Sequence, residues 1–434
     1  MSPELLGVAG FAVLFALMAL GTPVAIALLV VGFVGTILLS GFQAAAYTLS
    51  GQAFATITIY ELSIIPLFIL MGNLASAAGL SRDLFDAAYR LIGHLRGGLA
   101  AATILGCAGF SALSGSSIAS AVTMGKVAYP EMRRYGYGAR LATGSIAAGG
   151  TLGILIPPST GFVIYAVLTE ESIGRLFMAG VLPGLMLTGL FLVAIAAITF
   201  ITPDEGPRGP TFSLRDKFSG LLRSTGIITI IVITIGGLYT GFFTPVEAAG
   251  VGACFALLML ILRGKCTPHA LWAASADTLR TTGMAFFILI GANVFAPFVA
   301  LSHLPETIAG GMAALALGAY GTLAVILLGY VVLGMFIEGL SLLVITLPIV
   351  FPLIVSLGFD PIWLGVVMVI VLEMGLISPP IGVNVFVVKS IVHDVKMETI
   401  FAGIMPFWLA MAIALLFLVL VPDIALLLPN AMFD

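Results

Sequence analysis

An apolar helix cannot run unbroken through Gly149-Gly150-Thr151-Leu152-Gly153-Ile154-Leu155-Ile156-Pro157-Pro158. Two successive prolines lack N–H donors, so the carbonyls one turn earlier lose their helical partners. The chain carries this interruption twice, the second time as Glu373-Met374-Gly375-Leu376-Ile377-Ser378-Pro379-Pro380. Each is preceded by small polar residues inside an otherwise apolar run, Ser114-Gly115-Ser116-Ser117 and Glu338-Gly339-Leu340-Ser341. In a membrane, broken backbone survives only where protein or a water-filled cavity satisfies it. Two polar breaks, each facing a broken helix and then duplicated, form the pattern of an ion-coupled transporter.

The rest of the sequence places these breaks in a bilayer. Hydrophobic residues make up 61% of the chain and charged residues 9%, with a mean hydropathy of +1.22. A water-soluble surface cannot be built from that composition. Apolar stretches of about 20 residues, enough to cross a bilayer, recur from end to end, so we expect an all-α polytopic membrane protein. The net charge of −3 and the lack of any basic run longer than Arg133-Arg134 give no sign of nucleic-acid binding. Cys107, Cys254 and Cys266 lack metal-ligand spacing and read as packing residues. Met1-Ser2-Pro3-Glu4 has no basic residue, so the apolar segment behind it is expected to be retained as a span.

Spans are expected at Leu5–Leu20, Val24–Ser40 and Ser63–Ala78, with Gly41–Tyr60 lying along the membrane surface. In Leu80–Leu99, charged residues alternate with apolar ones at helical spacing, which predicts an amphipathic surface helix. Residues 97–132 are too long for one comfortable span and are basic at both ends, so they predict a re-entrant hairpin turning at Ser114–Ser117. A broken helix over 139–168 and a span at Leu176–Ile201 follow. The polar stretch 203–222 is read as a cytoplasmic linker between repeats 1–202 and 223–434.

The second repeat has its own hairpin, over about 317–354, and broken helix, over about 363–388. Thr22-Pro23-Val24 recurs as Thr244-Pro245-Val246, Pro157-Pro158 as Pro379-Pro380, and Ala179–Pro183 as Ala402–Pro406, at spacings of 222, 222 and 223. Ser114–Ser117 pairs with Glu338–Ser341 at 224, and Phe68–Gly72 with Phe287–Gly291 at 219. Arg82, Arg90, Arg96, Arg133, Arg134 and Arg140 mark loops of the first half whose counterparts carry no Lys or Arg. The loop at 41–60 lacks them, whereas its counterpart holds Arg263, Lys265 and Arg280. Basic loops stay in the cytoplasm, so the repeats are inverted. Each has five crossings and one hairpin, and both termini are expected to be periplasmic.

Ser114, Ser116, Ser117 and Thr151 are uncharged oxygen ligands, and breaks at Gly150–Gly153 and Gly375–Pro380 are expected to free carbonyls and N–H groups. Carbonyls and hydroxyls suit a small hard cation such as Na⁺, and positive half-helix ends suit a carboxylate. Close packing or back-bonding to the preceding turn is the plainer explanation for each cluster taken alone. Glu338 and Glu373 are intramembrane acids that can hold a cation, titrate a proton, or hydrogen-bond a hairpin in place. Asn384 can cap the second half-helix or reach a ligand, and the cap is the favoured reading. No nucleophile elbow, metal-binding histidine spacing or Walker motif is present, so no enzymatic activity is expected.

At these motifs the sequence resembles the large membrane subunit of TRAP transporters, the tripartite ATP-independent periplasmic family, over essentially its whole length. The resemblance is carried by Ser114–Ser117, Met132-Arg133-Arg134-Tyr135-Gly136-Tyr137, Gly149–Ser159, Phe336-Ile337-Glu338-Gly339 and Gly375–Asn384. Ser378 departs from the expected threonine but keeps a hydroxyl. The resemblance implies a scaffold and a hairpin-bearing transport domain moving as an elevator in the bacterial cytoplasmic membrane. It also implies coupling to Na⁺ and uptake of a small organic acid delivered by a soluble periplasmic binding protein. A separate small four-helix membrane subunit is implied too. By resemblance, one cation site uses Ser114, Gly115, Ser117, Gly150, Gly153 and Pro157, and a second uses Gly339, Ser341, Gly375 and Pro379. Substrate would sit between the hairpin tips. Ser116, Thr151, Glu338, Glu373 and Asn384 remain candidates for substrate contact or coupling. The competing readings are a stand-alone elevator carrier of carboxylates or anions and, further off, a channel or structural membrane subunit.

Overall fold

A chain this apolar must pair its backbone polar groups internally, and helices do so within one segment. Accordingly the computed structural model, which describes residues 2–433, is all-helical among those residues. The first half comprises α1 (Pro3–Ala19), α2 (Val24–Ser40), α3 (Phe42–Ile57), α4 (Ile64–Ala78), α5 (Leu80–Ile92), α6 (Gly98–Ser114), α7 (Ser117–Arg134), α8 (Ala139–Leu155), α9 (Thr160–Thr169) and α10 (Ile173–Ile201). The second comprises α11 (Leu214–Tyr239), α12 (Pro245–Leu262), α13 (Pro268–Leu301), α14 (Leu304–Ala314), α15 (Gly318–Gly334), α16 (Gly339–Ser356), α17 (Pro361–Leu376), α18 (Val383–Ile391), α19 (Met397–Leu420) and α20 (Asp423–Phe433). Among the described residues, eight helical stretches are long and apolar enough to cross a membrane.

The helix boundaries set the register between the halves. α7 and α16 begin at Ser117 and Gly339, and α8 and α17 at Ala139 and Pro361, a spacing of 222 in both pairs. Ser116 therefore corresponds to Glu338, and Thr151 to Glu373. This corrects the spacing of 224 expected from matching the polar clusters by composition: the clusters are offset by two residues, but the turns are not. The halves differ elsewhere, since α3 and α4 are separate helices whereas their counterpart is the single long α13.

Two packing groups follow from the contacts. α2 packs along α13, and α4 along α12, with α1, α3 and α11 beside them. The second group is built on α8 and α17, which are buried on every face over Leu141–Leu155 and Ile362–Leu376. α6, α7 and α19 pack against α8, and α15 and α16 against α17. The groups meet at the first hairpin, where a Cβ on Gly72 of α4 would lie 2.9 Å from Leu113 O and from Ser114 Cα.

α5 lies between the groups. It buries Leu80, Phe85, Ala87 and Ala88, while its Asp83 pairs with Arg263. Lys265 Nζ donates to Ala78 O at 3.0 Å, tying the loop after α12 to the end of α4. The polar stretch after α10 is not a free strap: Gly97 N donates to Gly206 O at 2.9 Å, and Gly209 N to Gly93 O at 3.0 Å. α11 starts at Leu214, within the stretch expected as linker.

Candidate functional site

The first hairpin turns where Gly115 adopts φ +59°, a left-handed conformation that glycine accepts without a Cβ clash. Ser116 then caps α7, its Oγ accepting from Ala119 N at 3.3 Å. The tip docks into the first broken helix: Thr160 Oγ1 donates to Gly115 O at 2.8 Å, and a Cβ on Gly115 would lie 2.9 Å from Pro158 O. The hydroxyls of Ser114 and Ser120 share a hydrogen bond at 3.0 Å.

The expected break at Gly150–Gly153 moves downstream. α8 stays helical through Leu155, and its chain opens only over residues 156–159. The two glycines serve close approach instead. A Cβ on Gly153 would meet Ser116 O at 2.4 Å and Ser117 N at 2.7 Å; one on Gly150 would meet Ala121 Cβ at 2.8 Å. The carbonyl of Gly153 faces the position where Pro157 offers no N–H, so its helical partner is missing. Ile154 O, in the same predicament, takes the Ser159 hydroxyl. Thr151 is fully buried and returns its hydroxyl to Ala148 O at 2.6 Å.

At the second hairpin Glu338 holds the turn. Its carboxylate accepts from Leu340 N at 3.1 Å, Ser341 N at 3.0 Å and Ser341 Oγ at 3.0 Å. These are charge-assisted bonds to the positive end of α16, so this acid locks the hairpin. Gly375 meets the other arm, its added Cβ falling 2.6 Å from Gly334 Cα. Gly339 lies over Leu376 and Leu372. Gly375 O accepts from Ser378 N at 3.0 Å, while Pro379 is exposed where its counterpart Pro157 is buried. The Pro–Pro peptide is cis in both copies.

One acid and one amide stand apart from ordinary partners. Glu373 is 2% exposed; the Ser117 side chain is within its hydrogen-bonding reach, and Glu338 lies close enough to act on it electrostatically. Its Oε2 has no hydrogen-bond partner among the described residues. Asn384 is fully buried and neither amide atom is paired. The capping role expected for it is incorrect: Gly382 occupies the N-cap of α18, which has no side-chain cap.

Between the hairpin tips and α2, α4 and α13 lies a cavity of about 460 Å³. Ser114, Ser116 and Ser117 reach it from the first hairpin, and Glu338 and Ser341 from the second. No Lys, Arg or His lines it among the described residues. Asn73 and Ser76 of α4 and Thr123 of α7 also face it, and the sequence reading missed them. Asn73, the lone amide in apolar α4, was the available signal. It is held by α13, donating to Thr278 Oγ1 at 3.0 Å. No group of three or more His, Cys, Asp and Glu occurs among the described residues, so the oxygens this site offers are hydroxyls, carbonyls and single carboxylates.

The chain matches the family model described as tripartite ATP-independent periplasmic transporter, DctM component, over residues 11–424. It is 36% identical over 388 residues to the C4-dicarboxylate TRAP transporter large permease protein DctM of Pseudomonas aeruginosa, covering 88% of this chain and 89% of that one. It is 33% identical over 418 residues to the isethionate TRAP transporter permease protein DctMQ of Oleidesulfovibrio alaskensis, covering 96% of this chain and 65% of that protein. A solved transporter, YdaH of Alcanivorax borkumensis, shares the fold at a TM-score of 0.59 and 18% identity, over 90% of this chain and 88% of that one. Paired hairpins and broken helices around a polar-tipped cavity, together with matches along nearly the whole chain, make it a member of the TRAP transporter family, a large membrane permease and not an enzyme.

Proposed function

We propose that this chain imports a small organic acid across the bacterial cytoplasmic membrane, coupled to Na⁺ and working as an elevator. Its substrate comes from a soluble periplasmic binding protein, and a small membrane subunit is a separate polypeptide. The observation that carries this reading is the docking of each hairpin tip on its own broken helix around one cavity free of basic side chains. A carboxylate there relies on hydroxyls and the helix end capped by Ser116, since Glu338 occupies the equivalent end of α16. At the first tip the unpartnered Gly153 carbonyl and the hydroxyls of Ser114 and Ser117 fit a small hard cation. Gly115, Gly150 and Pro157 supply the turn, the close approach and the missing donor. At the second tip Gly339, Ser341 and Gly375 present the equivalent oxygens, with Pro379 beyond them. A bound cation supplies positive charge that fixes both tips beside an anionic substrate.

The cavity extends to Pro23, Ser76 and Thr281, near loops rich in Arg and Lys, which supports a cavity facing the cytoplasm with both termini periplasmic. The test is uptake into proteoliposomes containing this chain and the small subunit, with an imposed Na⁺ gradient and the binding protein outside. Accumulation should require both the gradient and the binding protein. Uptake without the binding protein would favour a stand-alone carrier, and uptake indifferent to the gradient would remove Na⁺ coupling.

A further inference from the structure

Glu373 and Asn384 flank the second break, and neither belongs to the two cation sites at the hairpin tips. Both are buried, at 2% and 0% exposure. Glu373 Oε2 and both amide atoms of Asn384 lack hydrogen-bond partners among the described residues. No Lys or Arg occurs between Thr281 and Val388 to neutralise the carboxylate. Its charged neighbour is Glu338, of the same sign. A buried carboxylate without a counter-charge and a buried amide without a hydrogen bond are both costly to hold.

The helices bring these groups to one depth. α18 runs alongside α7 in the same direction: Ile391 Cδ1 lies 3.1 Å from the Cβ position of Gly125. Further along, Tyr129 OH donates to Asp394 Oδ1 at 2.7 Å, and Arg133 lies 3.3 Å from Asp394 Oδ2. Two turns back from Ile391 stands Asn384, and two turns back from Gly125 stands Ile118, next to Ser117. Ser117 is also the residue within reach of Glu373. In the first repeat the equivalent positions, by the spacing of 222, are Thr151 and Phe162. Thr151 bonds its own helix, and Phe162 is a buried ring. The arrangement therefore exists once, not twice.

We propose that Glu373, Asn384 and Ser117 form a third cation site, which takes one Na⁺ on the Glu373 carboxylate, the Asn384 amide oxygen and the Ser117 hydroxyl, the last bridging to the ion at the first hairpin tip. A monovalent cation neutralises the carboxylate and gives the amide oxygen a partner in one step. The proposal rests on the Na⁺-coupled reading above and adds one ion to the two expected at the hairpin tips.

The test counts bound ²²Na⁺ per permease in the purified complex with its small subunit, in detergent over a K⁺ background, alongside thermal melting with and without Na⁺. The intact protein should bind three Na⁺, and Glu373→Gln and Asn384→Leu two each. Without Na⁺, Glu373→Gln should melt no lower than the unaltered protein, because it removes an unpaired charge. If Glu373→Gln does not fold, Asn384→Leu and the count in the intact protein decide. Two ions in the intact protein, or three in both variants, would overturn the third site and leave the two-site reading standing. No bound Na⁺ in the intact protein would overturn both.

Discussion

Gly153→Ala isolates the close approach between the first hairpin and the first broken helix. The added Cβ falls 2.4 Å from Ser116 O, 2.6 Å from Ser116 C and 2.7 Å from Ser117 N, where an ordinary contact is at least 3.4 Å. All three obstacles are backbone, so no side chain can rotate away, and the tip must retreat by about 1 Å. Overpacking of this kind costs about 1–3 kcal/mol. Ion ligands tolerate only about 0.2 Å of displacement, so the cost falls mainly on the occupied state. Converted at about 1.4 kcal/mol per tenfold change, Na⁺ affinity should weaken about 5- to 150-fold. The assay is a Na⁺ titration of thermal stability in detergent, followed by Na⁺ dependence of uptake in proteoliposomes. Gly189→Ala is the control, since nothing lies within 4 Å of its Cβ position. A folded Gly153→Ala protein with an unchanged Na⁺ midpoint would refute the placement of a cation at this tip.

Three further outcomes are expected. Ser114→Ala and Ser341→Ala should each raise the Na⁺ concentration for half-maximal uptake about fivefold, the equivalent of one hydrogen bond of about 1 kcal/mol; unchanged Na⁺ dependence would count against these ligands. Glu338→Ala removes three hydrogen bonds at the start of α16, and should lower stability by about 1–2 kcal/mol, the usual loss for a strong cap, read as a drop in melting temperature. Asp394 is held below its ordinary pKa of 3.8, first by the Tyr129 hydroxyl, then by its own backbone and Arg133. A lowered carboxylate pKa stabilises the fold above the ordinary value, and that contribution is lost as pH falls through the lowered one. Melting curves for the unaltered protein and Asp394→Asn should therefore differ at neutral pH and converge below about pH 4; a constant gap down to the lowest pH would contradict the tie.

The sequence reading identified the elements but erred where a residue type can act in two ways. Gly150 and Gly153 suggested an opened helix, because glycine is a poor helix former. In the structure they lie inside α8 and admit the backbone of the hairpin tip. Asn384 suggested a cap, because Asn favours helix starts, yet Gly382 takes that position. For Glu338 the sequence left three roles open, and the hydrogen bonds to Leu340 and Ser341 match the structural one.

Composition, the spacing of apolar runs and the doubled prolines were enough to establish an all-helical membrane protein with two copies of a hairpin and a broken helix. These are properties of local covalent geometry and of the solvent: proline lacks its donor wherever it sits, and lipid offers no hydrogen bonds. Which oxygens face one another depends on register and on how closely helices approach across the interior. Only the packed structure brings Gly153 against Ser116, leaves Glu373 Oε2 and the Asn384 amide without partners among the described residues, and buries Pro157 while exposing Pro379. Such contacts join residues distant in the chain, and no local pattern encodes the distance between them.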